Sequence, residues 1–280
     1  MIARVLCPAK INTFLAVGPK DSRNYHPLRT IFQAVSLFDE LHLSEAEHDS
    51  FHCDDPDVPE SNTVTRAISL LREFGDVPRL KVKLFKQIPL ESGLGGASSN
   101  AAGLLRAVNH FAHVPFSAEI LKEVALAVGA DVPFFLVGGR AQAEGYGEKL
   151  APLPDPEPRT LILLKPEVSC STKSAYARLD ESTYEWRDFP SDLGEQYNDF
   201  ERVMPCECDD WMEHLQLLGA ETVGLSGSGS AVFGFFPGDE TAERAMEDLR
   251  SRRGQRAWKV QTLSRKDSLS VEFEPFSAKT

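Results

Sequence analysis

Apolar and polar residues alternate with period two along LKVKLFKQI, where Leu80, Val82 and Leu84 are separated by Lys81 and Lys83. That period puts every second side chain on one face of a strand, so the stretch predicts an antiparallel strand with one wet face. The runs RVLCPAKINTFLAV and TIFQAVSLFDELHLS before it also read as strands. Beyond residue 100 the spacing becomes helical. Ala101, Leu104, Leu105, Val108 and Phe111 or Ala112 share a face, and Asn100 or a preceding serine is expected to cap the first turn. A second helix is expected over SAEILKEVALAVG, opened by Ser117 and Glu119 and closed by Gly129 as a left-handed terminator. ADVPFFLVGGRAQAEGYGEKL then predicts an apolar strand followed by a glycine-turned hairpin.

Residues 151–159, APLPDPEPR, hold four prolines and no apolar period, which marks a connection and divides the chain into lobes over 1–150 and 151–280. In the second lobe the pattern predicts a strand at TLILLKP, a helix around 198–217 and a strand-turn-helix around VGLSGSGSAVFGFF. A helix over ETAERAMEDLRSR and a strand at AWKVQTL follow, with fraying after Ser268. Strands backed by helices on one face give an α+β class.

A length of 280 residues suits two lobes of ordinary size, and 42% apolar residues are enough for a sizeable core. The formal charge of −12 excludes a general nucleic-acid binder, so any anionic ligand must be held by a local feature. No stretch approaches 18 apolar residues, and MIARVLCPAKIN does not read as a secretory signal; a cytoplasmic protein with no membrane contact is expected. Five cysteines make no disulfide framework, and Cys206 and Cys208 have no second pair at finger-like spacing, so reduced thiols and no protein-held metal are expected. His110 and His113 likewise have no acidic or cysteine partner at a convincing distance.

The chemistry concentrates in PLESGLGGASSNAA. Gly93, Gly95 and Gly96 allow close backbone approach and positive φ, Ser98 and Ser99 add hydroxyls, and a helix amino terminus follows. The stretch lacks the lysine of a Walker loop and the sixth-place glycine of GxGxxG. A phosphate loop and a plain capped turn both remain open on composition, and the position between strand and helix favours phosphate. Three further segments bear on the choice: Lys10 within PAKIN, Asp131 within GADVPFF before Pro133, and the second glycine-serine loop GLSGSGSAVF. Singly, these read as a solvated strand end, a turn or cap, and a flexible hairpin. Together they describe a small kinase site.

The order PAKIN, IPLESGLGGASSNAA, GADVPFF, GLSGSGSAVF resembles the GHMP kinases, named after galactokinase, homoserine kinase, mevalonate kinase and phosphomevalonate kinase. The resemblance covers residues 8 to about 236. It implies an amino-terminal lobe like the second domain of ribosomal protein S5, a ferredoxin-like carboxy-terminal lobe, and an active site in the cleft between them. Tyr25-His26 followed by LRTIFQAVSLFDEL, together with YNDFE at 197–201, is most similar to the branch acting on a cytidine-diphosphate-linked methylerythritol. That implies ATP-dependent phosphorylation of its 2-hydroxyl, with Mg2+ accompanying ATP. Homoserine- or mevalonate-type kinases and a non-catalytic nucleotide-binding relative are the alternatives.

Carried over, Pro89, Leu90, Glu91, Ser92, Gly93, Leu94, Gly95, Gly96, Ala97, Ser98 and Ser99 wrap the ATP phosphates. Asp131 meets the acceptor hydroxyl, and Lys10 keeps it ionised and steadies developing charge. Asn12 touches substrate, Tyr25 and Tyr176 sandwich the cytosine, and His26 bonds its edge. Asn62 and Thr63 fall at the family's adenine position. Arg23-Asn24 stand where the family commonly has Asp-Gly, and Glu91 brings a carboxylate near the phosphates, weakening nucleotide binding unless it turns outward or meets a cation. A monomer or weak homodimer is expected.

Overall fold

In the computed structural model, which describes residues 2–111, 114–182 and 185–274, the lysines of LKVKLF face solvent and its aliphatic residues face the core. Two long strands form the spine. β1 (Ile2–Val17) and β2 (Leu28–Glu45) pair antiparallel, with register shifts between Pro8 and Ala9 and between Asn12 and Phe14. Such irregularities re-aim side chains next to sites, and here they bracket Lys10 and Asn12. There follow β3 (Ser50–Cys53), α1 (Thr63–Leu71), β4 (Leu80–Phe85) and α2 (Gly96–Phe111). α3 (Ala118–Val128), α4 (Val132–Val137), β5 (Arg140–Glu144) and β6 (Lys149–Pro152) complete the first 152 residues. α2 lies against β1 so closely that a Cβ at Gly103 would stand 2.5 Å from Cys7 Sγ. Leu104, Leu105 and Val108 thereby join Val5, Leu41 and Leu43 in one buried cluster.

The second part contains β7 (Thr160–Pro166), α5 (Thr172–Asp180), β8 (Tyr197–Asn198), a 3-10 turn over Asp199–Arg202 and α6 (Cys206–Leu217). β9 (Thr222–Leu225), β10 (Val232–Phe235), α7 (Asp239–Ser251) and β11 (Gln255–Gln261) follow. The sheet order β11-β7-β10-β9, antiparallel throughout and with α6 and α7 on one face, is the ferredoxin-like βαββαβ arrangement. β7 is apolar on both faces because both are covered. Ile162 and Leu164 pack under the helices, whereas Leu161 and Leu163 join Ile11 and Val35 of the larger sheet and Ile88 and Leu94 of the segment between β4 and α2. The two sheets thus share a core, which fixes the walls of the cleft between them.

Several expectations change. VPFFLV is the helix α4, not a strand: Pro133 sits in a first turn where its missing N–H costs nothing, and Phe134 packs on Phe32 with ring centroids 4.8 Å apart. A short apolar run does not distinguish a buried strand from a buried helix. Gly129 has φ 179, an extended backbone rather than the left-handed one expected. α2 starts at Gly96, so Ser98, Ser99 and Asn100 lie inside the helix. The segment 222–235 is a strand-turn-strand hairpin, since cross-sheet pairing outweighs any helical tendency of AVFGFF. The expected helix around 198–217 is two pieces, the 3-10 turn and α6. After α8 (Arg265–Ser268), β12 (Val271–Glu274) adds an edge strand to β1 where fraying was expected. Ala112, His113 and 275–280 lie outside the described residues. All five cysteines are free thiols, and no described helix is long and apolar enough to cross a membrane.

One carboxylate joins the elements below the glycine loop. Asp39, fully buried in β2, accepts from the backbone N–H of Gln87 and Ile88 at 2.8 Å each, from Asn100 Nδ2 at 2.9 Å, and from the ammonium of Lys86. Removing one member of such a group strands the others without partners. Asp39→Ala is expected to lower unfolding stability by about 3–5 kcal/mol, whereas Lys81→Ala on the wet face should stay within about 0.5 kcal/mol; urea titrations of both variants measure the difference.

Candidate active site

Lys10 is 3% exposed, and its backbone N–H donates to Leu94 O at 2.9 Å, stitching β1 to the glycine loop. Its Nζ donates to Asn12 Oδ1 at 2.7 Å and lies 3.6 Å from Asp131 Oδ2. Asn12 Nδ2 donates to Thr30 Oγ1 at 2.7 Å, and Thr30 in turn donates to Phe14 O. This relay holds the ammonium in place. Burial pushes the Lys10 pKa below its ordinary value, and Asp131 opposes the shift. Asp131 precedes α4 and makes no side-chain capping bond, so its carboxylate, 35% exposed, is open to the cleft.

That cleft has a volume of about 310 Å³ and is lined by Lys10, Asn12, Asp131 and every residue from Pro89 to Ser98 except Leu94. Leu94 belongs to the shared core, and Ser99 is buried without a bonded partner for its hydroxyl among the described residues. Positive φ at Glu91, Gly93 and Gly95 turns alternate peptide groups, the geometry that gathers N–H groups into an anion-binding concavity. α2 adds its amino terminus, with no acidic residue in the first turn. Glu91 is exposed and lines the cleft beside the loop. Ser92 bonds Pro89 O at 2.7 Å and holds the loop from within.

The second glycine-serine loop locks onto the first. Ser226 Oγ donates to Gly93 O at 3.1 Å, Ala231 N–H donates to Ser92 O at 3.0 Å, and Gly227 and Ser228 line the cleft. Asn198 of YNDFE donates to both Leu225 O and Gly227 O at 2.8 Å, which gives that motif a structural role under the loop.

Beyond Tyr176 and Leu28 the cleft continues into a wider one of about 990 Å³ that Tyr25 and His26 also line. Tyr25 is 67% exposed. Tyr176 stacks on His26 at 5.2 Å, and His26 sits 2.7 Å from Gly18 O through Nδ1 and 3.0 Å from Asp180 Oδ1 through Nε2. Asn24, at φ 64, carries the left-handed turn ahead of Tyr25. Asn62 caps α1, accepting from Val64 and Thr65 and donating to Pro59 O and Glu60 O, and Thr63 donates to Ala97 O. Both line a smaller hollow beside Lys86 and Leu90.

Two profiles match the chain: GHMP kinases N terminal domain over residues 62–139 and GHMP kinases C terminal over 192–255. A 4-diphosphocytidyl-2-C-methyl-D-erythritol kinase from Prosthecochloris aestuarii is 38% identical over 262 residues, covering 86% of this chain and 91% of that one. The chain belongs to the 4-diphosphocytidyl-2-C-methyl-D-erythritol kinase family of GHMP kinases. The kinase of that name from Pseudomonas syringae is 36% identical, with 85% and 86% of the two chains covered. A crystal structure of 4-(cytidine 5'-diphospho)-2C-methyl-D-erythritol kinase superposes with a TM-score of 0.80 at 34% identity, covering 92% of this chain and 98% of the other. The mevalonate kinase of Methanococcus jannaschii, 13% identical with a TM-score of 0.70 over 94% and 98% of the chains, shares the fold.

Beside the residues singled out from the sequence, the cleft of this kinase is lined by Leu15, Leu28, Thr30, Phe32, Thr172, Phe200 and Lys86. Thr30 and Phe200 lie inside the quoted stretches LRTIFQAVSLFDEL and YNDFE, but nothing in the local pattern marks either one as a cleft residue. Lys86, three residues before Pro89, reads as one more lysine of an alternating strand, yet its ammonium is buried beside the loop, where a Cβ on Gly96 would lie 3.2 Å from it.

A Cβ at Gly93 would stand 2.1 Å from Ser226 O, at a φ of 78 that side chains resist. Gly93→Ala is expected to part the two loops, raising KM for ATP about tenfold or more and lowering the melting temperature by several degrees; steady-state kinetics and a thermal scan check it.

Proposed function

We infer that this kinase transfers the terminal phosphoryl group of ATP to the 2-hydroxyl of 4-diphosphocytidyl-2-C-methyl-D-erythritol, giving the 2-phosphate and ADP in non-mevalonate isoprenoid precursor synthesis. The observation that carries the reading is the Lys10–Asp131 pair, 3.6 Å apart, in one cleft with the amide-lined loop and next to an aromatic-walled cleft. Phosphoryl transfer asks a protein mainly for positioning and charge stabilisation. The loop from Pro89 to Ser98, the α2 amino terminus and Lys86 hold the phosphates. The substrate oxygen forms the new bond to the terminal phosphorus as the bond to the bridging oxygen of ADP breaks, and the hydroxyl proton passes to Asp131. Lys10, held by Asn12 and Thr30, steadies the charge between them.

Magnesium belongs with the ATP, whose phosphate charge it neutralises. Among the described residues no cluster of His, Cys, Asp and Glu could hold a metal by itself, and the cleft wall carries oxygen ligands that would suit a hard cation carried in on phosphate, the Ser98 hydroxyl and the Glu91 and Asp131 carboxylates among them. Residues 1–150 supply most of the ATP and substrate groups, while 151–280 close the cleft through Thr172, Tyr176, Phe200 and the 226–228 loop. Tyr25 and Tyr176 bracket the cytosine, with His26 at its edge; the His26–Tyr176 stack requires one of these rings to shift as the base enters. The enzyme works in the cytoplasm as a monomer or weak homodimer.

ADP release measured with the cytidyl substrate, homoserine and mevalonate, with and without magnesium, tests the assignment; preference for a plain alcohol overturns it. Asp131→Asn is expected to lower kcat by about a hundredfold or more with ATP binding retained, which stopped-assay turnover and nucleotide titration separate. The pH profile tests Lys10. Because burial lowers its pKa below 10.5, its charge is lost, and the rate falls, as pH rises through a value under the ordinary lysine range. Lys10→Arg keeps its charge at every accessible pH, so its lower kcat should show no alkaline limb assignable to this residue.

A further inference from the structure

The ring that most exposes itself in the substrate cleft, Tyr25, belongs to a loop between β1 and β2 whose sequence, GPKDSRNYHP, has no packed core of its own. Its shape comes from Asp21. The Asp21 N–H donates to Tyr25 O at 2.9 Å, Asn24 N–H donates to Asp21 O at 2.9 Å, and Asp21 Oδ1 accepts from the N–H of Arg23 at 2.9 Å and of Tyr25 at 3.1 Å. The other oxygen, Oδ2, faces outward and accepts from the phenol of Tyr146 and from Arg23 Nε. Tyr146 stands in the turn between β5 and β6, far away in sequence. The Arg23 guanidinium lies over its ring, 4.7 Å from the centroid, and also donates to its hydroxyl. The Tyr146 and Tyr25 rings meet edge to face at 6.0 Å. Leu28 N–H donates to Gly145 O at 2.6 Å, a backbone tie between the same two segments.

We propose that Tyr146, acting through Asp21, is a positioning residue that sets the Tyr25 ring for stacking on the nucleoside base of the substrate. The proposal rests on the reading given above, in which that base enters the cleft of Tyr25 and Tyr176. A loop already held in its binding shape loses little freedom when the base arrives, and a loose one must be ordered at the expense of affinity. Tyr146 touches neither the phosphate loop nor the Lys10–Asp131 pair: it lines the wider cleft and not the catalytic one. Its removal therefore weakens nucleoside binding and leaves the chemical step alone.

Tyr146→Phe deletes only the hydroxyl bonded to Asp21 and keeps the ring beside Tyr25. It is expected to raise KM for the cytidyl substrate about three- to tenfold, and the Kd of cytidine 5'-diphosphate alike, with kcat and the KM for ATP unchanged within about twofold. Asp21→Asn should act similarly, and the two changes together should cost less than the product of their separate effects because they cut one contact. Tyr146→Leu, which also removes the ring edge and the seat of Arg23, should exceed both. A cytidyl KM unaltered in Tyr146→Phe, or a loss spread equally over kcat and ATP affinity along with melting temperature, would overturn the latch. Wild-type protein inactive on the cytidyl substrate would overturn the functional reading and the latch with it, whereas an active wild type with unaffected variants overturns the latch alone.

Discussion

An ammonium buried to 3% exposure is expensive to keep charged, on the order of several kcal/mol once removed from water. Lys10 is tolerated because every neighbour answers it: Asn12 Oδ1 accepts its hydrogen bond, Asp131 faces it at 3.6 Å, and the Phe32 ring offers its face at 5.3 Å. The rest of the site follows from keeping that charge. β1 breaks register on both sides of Lys10 and Asn12 so that both reach the cleft, and Thr30 on β2 closes the relay. α4 presents Asp131 without engaging it as a cap. The aliphatic part of Lys10 packs where a Cβ on Gly95 would lie 3.1 Å from its Cγ, so the glycine loop and the cation share one wall.

The two lobes are coupled through the same region. The sheets bury Leu161, Leu163 and Phe233 against Ile11, Val35 and Leu94, and Leu94 is the apolar peg in the centre of the glycine loop. Just before it in the chain the carbonyls of Ser92 and Gly93 accept bonds from Ala231 and Ser226. The glycine loop is therefore held between an apolar interface and a second loop from the other lobe. Its shape does not depend on ligand to exist, which is what preorganised stabilisation of a developing charge requires.

The substrate side is built differently. Its walls are the exposed Tyr25, the half-buried Tyr146 and Tyr176 and surface cations; α5 is anchored in a packed core, whereas the Tyr25 loop and the Tyr146 turn are tied by side-chain bonds. Elements with few buried contacts open more readily than core strands. The Lys10–Asp131 end rests on the core shared by the two sheets, and the Tyr25 end rests on the bonds that Asp21 and Tyr146 make.

Much of this was legible in the sequence because it is local. Period two in LKVKLF, helical spacing after Asn100 and glycine at 93, 95 and 96 each depend on residues a few positions apart, and backbone geometry alone dictates their consequences. The order of four motifs carried the family and, through it, Lys10 and Asp131. What lay beyond reach needed distant partners. VPFFLV became a helix and AVFGFF a strand through their packing and pairing, and the residues after Ser268 gained an edge strand because β1 had an unpaired side. Lys86 and Thr30 entered the cleft only once Asp39 and Asn12 drew them there. The chain by itself determined which segments fold and which chemistry they carry, since those follow from neighbouring covalent geometry and hydrophobic period. Only the tertiary structure decided which buried charge meets which partner, because desolvation and Coulomb energy depend on distances that no spacing along the chain specifies.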